Sequence, residues 1–208
     1  MELTSRQGKN GKIHLYADGE FRFAVSAFVY HSFPWRDGDD VSEEELAEWK
    51  AAADAERAHE SALRLLTARA HGEKELLRKL RQKYDAEAAQ SAVDRCREAG
   101  LIDDAAYAAD LAEELFRRKA FSPERIRREL EQRGVDRKTA DEAVLALDIE
   151  RDSGIIQLLE KMRITDNATE KDKARAVRRL LTAGYSLSEV RRAMEQQGIS
   201  LNGGSDRD

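Results

Sequence analysis

The chain has 208 residues, of which 37% are charged, 41% are hydrophobic and 2 are proline, a composition that favours helices and excludes a loop-rich or all-β protein. The formal net charge of −5 excludes a strong overall attraction to nucleic acid, and the single cysteine excludes an internal disulfide. No apolar run approaches the roughly 20 residues of a membrane helix, and the N-terminal segment is polar, so we expect a cytoplasmic protein with neither a membrane span nor a signal peptide.

The N-terminal part predicts a small β-hairpin. Apolar and polar side chains alternate over residues 12–16 and again over 21–25. Between them, Asp18 and Gly19 tolerate the positive φ angles of a tight turn. The aromatic segment 28–35 follows and is expected to be irregular, leading into an acidic turn.

A helix is predicted to start at Ser42. Ser42 and Glu45 have the spacing of a capping box, in which each side chain accepts a hydrogen bond from a backbone N–H of the other residue. From there to about Ala70 the chain is rich in alanine and lacks proline, which predicts one or two packed helices. The expected apolar stripe consists of Ala62, Leu63, Leu66 and Ala70.

Three stretches of similar sequence, 75–83, 125–133 and 175–181, recur at a spacing of about 50 residues. Each stretch lies between two further amphipathic segments, so the repeat predicts a three-helix unit that occurs three times. The predicted fold class is all-α, with three tandem three-helix repeats in an elongated array and a small N-terminal β-hairpin segment. The expected segments are a hairpin with an acidic linker at 1–41, the three repeats at 42–103, 104–148 and 149–200, and a disordered tail at 201–208.

Residues suited to helix ends mark the predicted boundaries. Side chains that can accept a hydrogen bond at a helix start are Asp104, Ser122 before Pro123, Asp136 and Ser186. Glycines suited to helix C-termini are Gly100, Gly134, Gly184 and Gly198.

Patterns of catalysis and metal binding are missing from the sequence. The glycines are scattered singly rather than grouped in a phosphate-binding loop, and the four histidines lie in different predicted elements. Cys96 lies on an apolar stripe, which favours a small buried hydrophobe over a nucleophile. Asp103, Asp104 and Asp110 could hold a cation, but a helix start at Asp104 is the preferred interpretation. We therefore expect no catalytic residue, no metal and no cofactor, and a protein that is not an enzyme.

Basic residues cluster at corresponding places in the three repeats, at spacings that put them on one helix face for phosphates or for the carboxylates of a partner. A merely solvated face stays open as an alternative, because acidic residues such as Glu124 and Glu129 are interleaved. Replacing Arg125 and Arg128 by alanine is expected to weaken partner binding and to leave the helicity unchanged. The candidate contact residues for a protein partner or DNA are Arg78, Lys79, Arg117, Arg118, Lys119, Arg125, Arg128, Arg178 and Arg179.

Three motifs in order carry a resemblance to a known family. Residues 100–108 read Gly-Leu-Ile-Asp-Asp-Ala-Ala-Tyr-Ala, with Glu-Leu-Leu-Arg-Lys-Leu upstream at 75–80. Downstream, residues 125–135 read Arg-Ile-Arg-Arg-Glu-Leu-Glu-Gln-Arg-Gly-Val. Together these motifs resemble the RecX family of bacterial regulatory proteins, and the resemblance extends from about residue 11 to residue 198.

The resemblance implies a modulator of the RecA recombinase that is not itself an enzyme. It implies binding to RecA filaments on single-stranded DNA, a block of filament growth, and suppression of ATPase, strand-exchange and coprotease activity. We accordingly expect a cytoplasmic monomer whose partner is the RecA filament, with single- or double-stranded DNA as a further candidate partner and no membrane.

Two other functions stay open from the residues alone. Residues 122–147 read as two helices joined by a short glycine turn, which also describes a helix-turn-helix DNA-binding regulator. The near balance of charge in the helical part argues against that function. A scaffold for an unrelated protein is the third possibility, and it would bind neither DNA nor a recombinase.

Overall fold

A computed structural model describes residues 1–201, so the predicted tail at 201–208 lies outside the described residues except for Leu201. The chain divides into two compact units, one of which spans Met1–Asp103 while the other begins at Asp104. The described residues are mostly helical with a small N-terminal antiparallel sheet, which confirms the predicted fold class. No helix among them is long and apolar enough to cross a membrane.

The N-terminal sheet has three strands rather than two. Strands β1 (Leu3–Gln7), β2 (Lys12–Ala17) and β3 (Glu20–Ser26) are antiparallel and lie side by side in that order. Strands β2 and β3 form the predicted hairpin, with one bulge in their register. The sequence prediction omitted β1 because its residues are polar apart from Leu3, and the strand is defined by backbone pairing with β2 rather than by an apolar pattern of its own.

A short helix, α1 (Ala27–Ser32), occupies most of a segment predicted to be irregular, so that prediction is wrong. The Ser26 hydroxyl accepts a hydrogen bond from the Val29 backbone N–H at 3.2 Å and caps the helix. Val29 and Tyr30 are buried against the sheet and the next helix. Tertiary packing therefore orders a segment whose sequence lacks helical periodicity.

Helix α2 (Glu43–Ala68) is one continuous helix that begins with the predicted capping box of Ser42 and Glu45. Its N-terminal half packs on the sheet through Leu46 and Trp49. Its C-terminal half packs on two further helices, α3 (Glu73–Leu80) and α4 (Ala86–Glu98). One long helix thus serves both the sheet core and the first three-helix core.

The predicted apolar stripe of α2 is only partly right. Ala62 is buried, but Leu63 is 37% exposed and Ala70 lies beyond the end of the helix. Small residues, Ala58 and Ala62, form the buried stripe because they allow close approach to α4.

The second unit contains two three-helix bundles. Helices α5 (Asp104–Lys119), α6 (Pro123–Gln132) and α7 (Arg137–Leu145) form the first bundle. Its core consists of Tyr107, Ala108, Leu111, Ala112, Leu115, Ile126, Leu130, Val135, Ala140, Ala143 and Val144. Helices α8 (Ser153–Lys161), α9 (Glu170–Thr182) and α10 (Leu187–Gln196) form the second bundle. The main side chains of its core are Ile155, Leu158, Leu159, Ala176, Leu180, Val190 and Met194.

Most predicted helix ends are confirmed. Ser122, Asp136 and Ser186 each accept a hydrogen bond from a backbone N–H one turn later. Helix α5 begins at Asp104 itself, so this residue lies in the first turn rather than before it. The four predicted glycines, Gly100, Gly134, Gly184 and Gly198, all have positive φ angles.

The two bundles of the second unit meet through two turns, which we call the junction: residues 120–122 between α5 and α6, and 183–185 between α9 and α10. The Ser122 N–H donates to the Ala183 carbonyl at 2.9 Å, and the Tyr185 hydroxyl donates to the Ala120 carbonyl at 3.1 Å. Ala120 is fully buried in the core of the α8–α10 bundle although it follows α5. The junction therefore fixes the two bundles of this unit to each other.

Candidate functional site

The nine predicted contact residues are divided between the two units. Arg78 and Lys79 lie on α3 of the first unit, and the other seven lie in the second unit. Of the nine, only Arg78 and Lys79 can therefore contribute to a contact surface of the first unit.

On α3, Arg78 is exposed but Lys79 is half-buried. The Lys79 ammonium donates to His71 Nε2 at 2.9 Å, so the opposite imidazole nitrogen carries the proton and donates to the Arg69 carbonyl at 2.9 Å. Next to this pair, buried Glu75 is bound by the Arg69 guanidinium at 2.6 Å. Lys79 thus binds a residue of the loop before α3, whereas Arg78 is exposed and can contact a partner.

Burial of the imidazole lowers the pKa of His71, and the neighbouring cations act in the same direction. His71 therefore binds a proton at a higher pH in the unfolded chain than in the folded chain. The folded state has its full stability above about pH 6.5, where His71 is neutral in both states, and loses stability as the pH falls and the unfolded chain takes up the proton. We expect the free energy of unfolding to decrease between about pH 7 and pH 5.5, by at most about 1.4 kcal/mol per pH unit for one proton. Urea unfolding of the wild type and of His71→Gln checks this, and an equal decrease in the variant contradicts it.

The C-terminus of α5 carries three exposed basic residues, Arg117, Arg118 and Lys119. Arg118 pairs with Glu114 at 3.0 Å, one helical turn away. The Lys119 ammonium lies 5.2 Å from the centre of the Phe121 ring, in the range of a cation–π contact. The Lys161 ammonium adds a further positive charge here, because it donates to the Arg117 carbonyl at 3.3 Å.

Arg125 is half-buried and contacts several residues of its own unit. Its guanidinium binds Glu129 at 2.6 Å and lies 5.4 Å from the centre of the Phe121 ring. Gly184 packs on its stem so closely that a Cβ at Gly184 would lie 2.5 Å from Arg125 Cβ, and the positive φ of Gly184 also requires glycine. Replacing Arg125 by alanine would remove its contacts with Glu129 and with the Phe121 ring beside the junction, so Arg128 is the cleaner surface probe on α6.

The outer side of α6 is balanced in charge. Arg128 pairs with Glu124 at 3.2 Å, and Arg127 pairs with both Glu124 and Asp141. Exposed pairs of this kind contribute little to stability, but they lower the positive potential that a partner meets. The interleaved acidic residues noted in the sequence are the direct cause.

Helix α9 presents the opposite situation. Arg178 and Arg179 are exposed and form no ion pair with a described residue. Arg117 and Lys119 are likewise exposed and without an ionic partner among residues 1–201. We call these four residues the open cations. The Arg179 carbonyl accepts from the Ala183 N–H at 2.9 Å, which places its backbone one helical turn from the junction.

Sequence reasoning missed Phe121 and Lys161 at this site. Phe121 is half-buried and packs against both cores of the second unit. Its ring forms cation–π contacts with Lys119 and Arg125. A lone aromatic residue between two basic residues was the signal that could have identified it. Lys161 could not have been found, because it is 44 positions from its acceptor, Arg117.

Catalytic and metal-binding groups do not assemble among the described residues. No cluster of three or more histidine, cysteine or acidic side chains suited to a metal occurs within residues 1–201. Cys96 is fully buried, and burial raises the pKa of its thiol. A thiol of that kind is a poor nucleophile near neutral pH.

Comparisons with known proteins agree with the repeat pattern. The family model for the first three-helix domain of RecX matches residues 58–96, and the model for the second three-helix domain of RecX matches residues 103–144. The regulatory protein RecX of Ectopseudomonas mendocina is 37% identical over 145 residues, which cover 64% of this chain and 90% of that protein.

Two further matches extend over nearly the whole chain. The regulatory protein RecX of Caldanaerobacter subterraneus subsp. tengcongensis is 26% identical over 192 residues, 91% of this chain and 95% of that protein. A crystal structure of regulatory protein RecX has the same fold, with a TM-score of 0.62 and 22% identity over 93% of this chain and 98% of that chain. The chain therefore belongs to the RecX family of regulatory proteins.

Proposed function

We propose that this protein is a negative regulator of the RecA recombinase in the cytoplasm. It binds RecA filaments on single-stranded DNA as a monomer and suppresses filament growth, ATP hydrolysis, strand exchange and coprotease activity. The observation that carries this proposal is the match to RecX regulatory proteins along about nine-tenths of the chain, 91% in one relative. The protein acts by binding, without a catalytic step of its own.

Within the second unit, the open cations are the proposed contacts with the filament. Their guanidinium and ammonium groups form no ion pair with a carboxylate of residues 1–201, so a phosphate or an acidic side chain of a partner can bind them without breaking a described ion pair. Arg118 and Arg128 would each have to give up a glutamate first. The open cations therefore offer more binding free energy per residue than their paired neighbours.

The test of the proposed function is ATP hydrolysis by RecA from the same organism on single-stranded DNA, with this protein added at less than one molecule per RecA. We expect inhibition in that range, because a regulator that acts on a growing filament affects many subunits at once. No effect at a several-fold excess would contradict the proposal.

Two double variants, Arg117→Ala with Lys119→Ala and Arg178→Ala with Arg179→Ala, test the proposed contacts. We expect each to raise the concentration for half-inhibition by about tenfold or more, since hydrogen bonds to charged groups contribute about 1.5–3 kcal/mol each. Arg128→Ala is the matched control, because its guanidinium is already paired with Glu124 at 3.2 Å, and it should change inhibition less than about twofold. A control that loses as much inhibition as the double variants would show that the open cations have no special role.

One observation favours the alternative, a DNA-binding regulator of the helix-turn-helix kind. Arg137 and Lys138 are 84% and 86% exposed in the first turn of α7, where such a protein places its contacts with bases. Binding to duplex DNA that falls about 1000-fold between 50 and 200 mM salt, without RecA inhibition, would favour this alternative.

A further inference from the structure

The N-terminal sheet has an outer face that no helix of its unit covers. Its inner face is buried through residues such as Leu3, Leu15 and Val25. The register pairs Arg6 with His14 and Tyr16 with Phe21. Alternation along β1 and β2 puts Arg6, His14 and Tyr16 on the opposite side, and the bulge in the β2–β3 register brings Phe21 to the same side as Tyr16. We call these four residues, Arg6, His14, Tyr16 and Phe21, the sheet platform.

The platform consists of aromatic rings beside a guanidinium group. The Phe21 ring is edge-on to both Tyr16 and His14, with ring centres 5.7 Å and 5.6 Å apart. The Arg6 guanidinium carbon lies 4.9 Å from the centre of the Tyr16 ring. Phe21 is 55% exposed, so a large apolar ring of the edge strand β3 faces water on this surface.

The charges at the edge of the platform are segregated along the strands. Arg6, Lys9 and Lys12 lie toward one end, where β2 begins, and none of them pairs with a described acidic residue. The acidic residues of the sheet lie at the other end, where Asp18 and Glu20 flank the β2–β3 turn. A positive edge therefore adjoins the aromatic surface, although the N-terminal part of the chain is acidic as a whole.

We propose that the sheet platform binds a short stretch of single-stranded DNA. The bases stack on Phe21 and on the Arg6–Tyr16 pair, and the phosphates run toward Lys9 and Lys12. Exposed rings and planar guanidinium groups beside a positive groove are the features with which proteins hold unpaired strands, because every base has a flat π face. We choose a nucleic acid over a protein partner because Arg6, Lys9 and Lys12 adjoin the rings without a described acidic partner, which suits a chain of phosphates. The choice of DNA over RNA rests on the proposed function.

The test is the binding of the full-length protein to a fluorescein-labelled oligothymidylate of about 15 nucleotides, followed by anisotropy at several salt concentrations. Phe21→Ala should weaken binding about tenfold without changing the salt dependence, since it removes stacking and no charge. Lys9→Ala with Lys12→Ala should make the dependence of log Kd on log salt shallower, by about 0.7 for each phosphate that the protein no longer neutralises.

Phe28→Ala is the matched control, because Phe28 is 71% exposed in the same unit but lies on α1, outside the sheet. It should bind the oligonucleotide like the wild type. Equal binding by Phe21→Ala and the wild type, or equal losses in Phe21→Ala and Phe28→Ala, would overturn the proposal. Tighter binding of an oligouridylate of the same length would overturn the assignment to DNA.

The RecA assay separates this inference from the proposed function. Loss of oligonucleotide binding in Phe21→Ala supports the platform whether or not the wild type inhibits ATP hydrolysis. Inhibition by the wild type with unchanged oligonucleotide binding in Phe21→Ala supports the proposed function and rejects the platform. Loss of RecA inhibition in Phe21→Ala, with oligonucleotide binding intact, would assign the surface to a protein partner and also reject the platform.

Discussion

Replacing Gly154 by alanine is expected to lower the free energy of unfolding of the second unit by about 2–4 kcal/mol, although alanine is the better helix former. Gly154 lies in the first turn of α8, and a Cβ there would overlap the Tyr185 hydroxyl and lie 3.1 Å from Phe116 Cε2. Moving either ring disturbs a core, because Phe116 packs on the core of α5–α7 and Tyr185 is buried in the core of α8–α10. The added methyl group must therefore push the two bundles apart.

The Tyr185 hydroxyl is the group that the methyl group would displace. It donates to the Ala120 carbonyl at 3.1 Å, and burial raises the pKa of Tyr185 far above its usual range, so it stays a donor at all working pH values. Loss of this bond leaves a buried carbonyl without its partner, which adds about 1 kcal/mol to the cost of the overlap.

Tyr185→Phe supplies the matched test. By itself it should cost about 1 kcal/mol, but in combination with Gly154→Ala it should recover part of the loss, because it removes the atom in the way. Urea unfolding followed by far-UV circular dichroism measures all four proteins, since both tryptophans, Trp35 and Trp49, lie in the first unit and do not report on this one. Strict additivity of the two changes would contradict the predicted overlap.

Replacing Trp49 by alanine is expected to lower the free energy of unfolding of the first unit by about 3–5 kcal/mol. Its indole is fully buried between the sheet and α2, with ring centres 5.7 Å from Tyr30, 5.3 Å from Phe33 and 5.7 Å from Trp35. The cavity left behind could not close without moving three further aromatic rings.

Trp49→Phe should cost much less, about 1 kcal/mol, because the indole N–H has no hydrogen-bond partner in the described structure and the phenyl ring keeps most of the stacking. Trp35→Ala is the control for a half-buried ring of the same cluster and should cost about 1–2 kcal/mol. Urea unfolding followed by near-UV circular dichroism measures the order of the three variants. A loss in Trp35→Ala as large as that in Trp49→Ala would show that Trp49 is not the centre of this core.

The predictions made from the sequence succeeded where the information is local. The capping box at Ser42, the caps at Ser122 and Asp136, and the positive φ of Gly184 each depend on a few adjacent residues. The repeat of about 50 residues indicated helix bundles, because the same short pattern of apolar residues occurs three times. The motifs at 75–80, 100–108 and 125–135, taken together, indicated the family, which the comparisons then showed.

Other features were decided only by tertiary contacts. Strand β1 and helix α1 are ordered by the elements packed against them, which no local pattern records. The sequence alone identified which residues are positive, but not which of them are open: Lys79 binds His71 and Arg125 binds Glu129, while Arg178 keeps its charge exposed. Charge and helical propensity are properties of a residue and its near neighbours, so the sequence determines them. Burial and ion pairing depend on where distant segments meet, so the tertiary structure decided which cations are exposed and without an ion pair among the described residues.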